Sequence, residues 1–62
     1  MADDAVRALV HDLRAPLTVV EGFSDLLARR AGELEDAQRE EYLGRIAAAA
    51  REMRDLLDRA VG

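Results

Sequence analysis

This sequence of 62 residues predicts an all-α fold: an antiparallel two-helix hairpin that pairs with a second copy into a homodimeric four-helix bundle. Three observations predict it. Alanine, leucine, arginine and glutamate dominate and aromatics make up only 3 %, a composition that favours helix. Apolar residues recur at alternating spacings of four and three in two separate segments. A short polar break separates the segments, of the length that joins antiparallel neighbours.

The first segment carries Val6, Val10, Leu13, Leu17, Val20, Leu27 and Ala31 on the alternating spacing, with Ser24 in one slot. Leu9, Phe23, Leu26 and Leu34 widen that stripe. Helix one is therefore placed at about residues 3–31, opened by Asp3 and Asp4 and closed by Arg29 and Arg30. Each sign complements the helix dipole. Gly32 is read as its left-handed stop. Helix two, at about residues 37–61, takes Asp36 as N-cap. It repeats the spacing through Tyr42, Ile46, Ala49, Met53, Leu56 and Ala60, with Leu43, Ala50 and Leu57 beside them. Acids again open the helix and Arg59 closes it. At ~1.5 Å per residue both are rods of roughly 40 Å. The run Ala47 to Ala50 lets a neighbouring helix approach closely. The whole of residues 1–62 is read as one domain.

Two such helices cover only part of their wide stripes, and pairing two hairpins covers the rest. The alternative is one hairpin packed on a neighbouring domain. Composition excludes several classes. There is no cysteine, hence no disulfide or thiolate metal site, and a single histidine does not make a zinc centre. A net charge of −4 argues against a nucleic-acid partner. No run approaches ~20 apolar residues, so direct membrane contact is not expected. The acidic start Met1-Ala2-Asp3-Asp4 is not a signal peptide.

The stretch His11-Asp12-Leu13-Arg14-Ala15-Pro16-Leu17-Thr18 holds the only histidine and the only proline. A proline inside a helix removes a backbone donor and crowds the carbonyl four residues back. Accepting that one turn after the sole histidine points to a local gain. The residues three or four apart around His11, among them Asp4, Arg7, Arg14, Thr18, Asp25 and Arg29, form the polar stripe of helix one. Arg7 and Arg14 lie one turn before and one turn after the histidine and would attract an incoming phosphate. Ala8 and Ala15, both small, leave access to the ring. An imidazole with a free lone pair is a competent nucleophile.

The same stretch resembles the H-box of two-component sensor histidine kinases, His-(Glu/Asp)-Leu-(Arg/Lys)-x-Pro-Leu, in their dimerisation and histidine-phosphotransfer domain. Arg39-Glu40-Glu41-Tyr42-Leu43, Ile46, Arg51-Glu52-Met53 and Leu56-Leu57 are similar to that family's second helix. The resemblance covers nearly the whole chain. It implies that His11 takes the ATP γ-phosphoryl group from a separate catalytic domain and passes it to an aspartate of a response-regulator receiver. It also implies that Asp12 acts on the imidazole proton, although neighbouring helix residues project about 100° apart and do not face each other. Arg14, Ala15 and Pro16 flank the phosphoacceptor on this reading, and Thr18, Glu21, Gly22 and Asp25 form the receiver-docking face. Ala15 departs from many members of the family, in which Thr or Asn at this place is implied to position water for dephosphorylation.

No cofactor site is expected in this segment, since its four glycines are scattered and form no phosphate loop. ATP and Mg belong to the implied catalytic domain, expected to follow Val61-Gly62. The segment is therefore expected to accept phosphate without making it, in the cytoplasm, whether or not the parent protein is membrane-anchored. Two further readings stand beside this one: a dimerising hairpin with an incidental histidine, and a monomeric relay protein. Pro16 and Gly22 together read either as a hinge or as a static kink fitted to the bundle.

Overall fold

The computed structural model describes residues 2–61, so Met1 and Gly62 of the expected domain span lie outside the described residues. Two helices, α1 (Ala2–Arg30) and α2 (Asp36–Val61), run antiparallel as a hairpin. The molecule is a rod of 48 × 18 × 11 Å. Helix α1 continues unbroken through Pro16. No helix among the described residues is long and apolar enough to cross a membrane.

Both helices begin one residue earlier than the sequence predicts, and α1 also ends one residue earlier, for reasons that lie in the connection. Gly32 is not left-handed, since no described glycine has a positive φ. Helix α1 instead ends in a tight turn, in which Glu33 N–H donates to the Arg30 carbonyl at 2.9 Å. The N-cap of α2 is Glu35 and not Asp36. Its carbonyl accepts the first helical bond from Arg39 N–H, at 3.0 Å. Its own N–H donates to Gln38 Oε1 at 3.1 Å, the backward half of a capping box. Asp36 occupies the first helical position and accepts from Arg39 Nη1 at 2.9 Å. Arg39 Nη2 reaches across the connection to the Ala31 carbonyl at 3.1 Å. One side chain thus ties the end of α1 to the start of α2 and satisfies a carbonyl that helix geometry leaves open.

The seam between the helices holds Leu9, Leu13, Pro16, Val20, Phe23 and Leu27 of α1, all buried or half-buried. Tyr42, Ile46, Ala49, Met53 and Leu56 of α2 meet them. Both sets keep the four–three alternation of coiled-coil packing. Phe23 and Tyr42 fix the register at one end, with ring centroids 5.0 Å apart and planes tilted by 42°. Leu9 and Leu56 line one groove at the other end. Pro16 and Ala49 are the buried pair midway, Ala49 being 6 % exposed.

This seam is not the stripe that spacing alone ranks first. Val6, Val10 and Leu17 stay exposed, Val6 by 57 %, while Leu9, Phe23 and Pro16 go inside. The stripe of α1 is wider than one partner helix covers, and α2 takes its flank. A second apolar strip therefore remains at the surface: Val6, Val10 and Leu17 on α1, Leu43, Ala50, Leu57 and Val61 on α2. Among the described residues no large side chain is fully buried, a thin core for a chain of this size.

Candidate functional site

His11 stands on the side of α1 away from the seam, between the half-buried Leu9 and Leu13. Its side chain is 86 % exposed. Nδ1 lies 3.4 Å from Asp12 Oδ1. Adjacent helix positions diverge, so this approach comes from side-chain reach and not from a shared face. At 3.4 Å it is long for a hydrogen bond, but it orients the ring: Nδ1 turns toward the carboxylate, and Nε2 is left open to solvent.

One groove is lined by His11 and another by Asp12. The first, about 300 Å³ and open, is lined by Val6, Arg7, Val10, His11 and Arg14. Helical spacing brings these residues together, because Arg7 and Arg14 are the fourth residue before and the third after His11. Neither arginine pairs with a carboxylate among the described residues, whereas Arg29, Arg39 and Arg45 bind Asp25, Asp36 and Glu41. The groove thus offers two uncommitted guanidiniums on an apolar floor. The second groove runs between the helices, through Ala5, Ala8, Leu9, Asp12, Leu56, Arg59 and Ala60. His11 and Asp12 therefore look out on different sides. Small Ala5 and Ala8 leave the carboxylate accessible from α2's side.

The other expected site residues divide. Ala15 is exposed, and its methyl offers no hydrogen bond. Pro16, expected to flank the histidine, points into the seam and is buried. Thr18 Oγ1 donates back to the Arg14 carbonyl at 2.8 Å, so its hydroxyl is committed within α1. Thr18 and Gly22 share a shallow apolar groove with Val19, Phe23 and Leu26, while Glu21 and Asp25 lie outside it. The Asp25 carboxylate is held by Arg29 Nε at 3.0 Å. Val19 is not among the expected docking residues, and Leu26 is expected only to widen the stripe of α1. Their signal is a spacing of seven, off both main stripes, which leaves both apolar side chains exposed.

Comparisons with curated proteins and with solved structures gave no match. A family model did match, described as the His Kinase A (phospho-acceptor) domain, over residues 1–60. That span takes in the exposed histidine, its acidic neighbour, the proline and both helices of the seam. The chain belongs to the HisKA family, the phosphoacceptor and dimerisation module of two-component histidine kinases.

Proposed function

We propose that His11 is the phosphoacceptor, receiving the γ-phosphoryl group of ATP from a separate catalytic domain and passing it to a receiver aspartate. The observation that carries this is the ring itself: exposed, with Nδ1 toward Asp12 and Nε2 free beside two unpaired arginines. In the first step Nε2 attacks the γ-phosphorus. A P–N bond forms, the bond to the β-phosphate bridging oxygen breaks, and ADP leaves with the electron pair. Asp12 takes up the growing positive charge at Nδ1–H through a charge-assisted hydrogen bond. In the second step a receiver carboxylate oxygen attacks phosphorus. The P–N bond breaks and its electrons return to Nε2. Nucleotide and Mg are held by the catalytic domain, so the chain accepts phosphate and does not make it.

The module works as a homodimer. Domains of this family dimerise within histidine kinases, and the open strip on both helices gives a second copy its place. Covering that strip builds the four-helix core that one hairpin lacks. The receiver docks on the Thr18, Val19, Gly22, Phe23 and Leu26 groove, with Glu21 and Asp25 at its rim.

The test is to incubate the chain with ATP, Mg and a compatible histidine-kinase catalytic domain. Acid-labile, base-stable phosphate should form on the wild type and be absent from His11→Gln. Sedimentation should give twice the chain mass. A dimer that takes no phosphate would make the chain a structural hairpin, and a phosphorylated monomer would make it a relay protein.

A further inference from the structure

The open strip of α2 follows the seam's own alternation of four and three: Leu43, Ala47, Ala50, Arg54, Leu57, Val61. All six are exposed in the hairpin. Five are apolar and one is a full charge. Arg54 forms no ion pair among the described residues, although acids stand on either side of it along the helix. An arginine at such a position has to lead its guanidinium out past the edge of the covered strip, and what lies at that edge decides its role.

The register says what lies there. Phe23 is level with Tyr42, and Leu9 with Leu56. On the same register His11 is level with Arg54, Arg14 with Arg51, and Arg7 with Asp58. A two-fold axis along the rods preserves these levels between copies. It sets the open strip of one α2 against the open strip of the other chain's α1. That strip ends at Val6 and Val10, which are also the floor of the His11 groove.

We propose that Arg54 of the second copy completes the His11 groove, making a three-arginine anion site with Arg7 and Arg14 of the first. The proposal rests on the two-copy reading above. Asp58 of the second copy is level with Arg7 and Arg51 with Arg14, so with Arg54 the three residues that the second copy brings to these levels carry one net positive charge. The ligand class is a phosphoryl or phosphate group carrying two or more negative charges, and Arg54 is a positioning residue supplied in trans.

Inorganic phosphate is the probe, and the ring resonances of the sole histidine report its binding to the full chain at constant ionic strength. We expect a saturable shift of the His11 signals. Arg54→Ala should weaken phosphate affinity about threefold, the size of one exposed charge interaction. Arg54→Lys should restore most of it, and Arg30→Ala, at the other end of α1, should change nothing. Alanine at 54 extends the small apolar strip, so sedimentation should still report a dimer.

Mixed dimers assign the chain. His11 on an Arg54→Ala chain, mixed with excess His11→Gln chain that keeps Arg54, should bind like wild type. A wild-type chain mixed with excess His11→Gln, Arg54→Ala chain should bind about threefold more weakly. A monomeric wild type, an unaltered affinity in Arg54→Ala, or a loss that follows the histidine's own chain would each overturn the proposal. Failure of the phosphoacceptor reading is seen separately, as absence of His11 phosphorylation by ATP and a catalytic domain, while phosphate affinity is still measurable.

Discussion

Gly22→Ala separates what the fold needs from what the partner needs. Gly22 lies inside α1, yet a Cβ placed there meets no heavy atom within 4 Å. The methyl therefore costs no packing in the hairpin. It removes the backbone entropy that glycine loses on entering a helix, worth about 1 kcal/mol. At about 2.1 cal/mol/K per residue, a chain of this length unfolds with an entropy of about 0.13 kcal/mol/K, so Tm should rise by about 8 °C. A pairing of two substituted copies doubles both quantities and leaves the shift unchanged. Thermal melts followed by circular dichroism at fixed chain concentration measure it. The same methyl narrows the groove that Gly22 shares with Val19 and Leu26, so phosphoryl transfer from His11 to a receiver should slow. A Tm that falls would refute the packing argument, because it would mean that a neighbour outside the hairpin fills that space. A higher Tm with undiminished transfer would remove Gly22 from the docking face.

Asp12→Asn keeps the shape beside Nδ1 and removes the charge, so His11 phosphorylation should slow by tenfold or more while sedimentation is unaltered; equal rates for the two proteins would remove Asp12 from the mechanism. Ala49→Leu forces a large side chain into the place level with Pro16 and should destabilise the hairpin by about 1–3 kcal/mol, read from denaturant melts. Arg39→Ala loses the bonds to Asp36 and to the Ala31 carbonyl and should cost about 1 kcal/mol, with faster amide exchange confined to the connection. Leu57→Glu puts a second charge on the open strip of α2 and should give monomers by sedimentation, whereas Asp55→Ala, off that strip, should not.

The helices were legible to within one residue because their signals are local: four–three spacing, charged ends and a polar break. Choosing between two adjacent apolar strips was not, since periodicity ranks residues by hydropathy and says nothing of which flank a second helix occupies. Val6, Val10 and Leu17 therefore read as core and lie at the surface, while Leu9 and Phe23 read as margins and are inside. From its missing N–H, Pro16 reads as a hinge or a kink within helix one. Its ring is also an apolar surface at the right spacing, and that property decided its place. The bond from Arg39 to the Ala31 carbonyl spans eight residues and depends on how the chain turns, which no local pattern records. At the site, the sequence placed His11 on the polar side, with Arg7 and Arg14 one turn away. The approach of Asp12 to Nδ1 depends on rotamers, and spacing alone argued against it.

The seating of Pro16 bears on how α1 can respond to a pull on its first half. Flexing at this point would draw the buried pyrrolidine away from the face of α2 that carries Ala49, a cost that opposes the loosening from the missing backbone bond. Segments on either side of the proline are yoked together by the very residue that interrupts them. A push delivered near Val6 should therefore reach Phe23 as displacement of a stiff shaft, with His11 carried along undistorted.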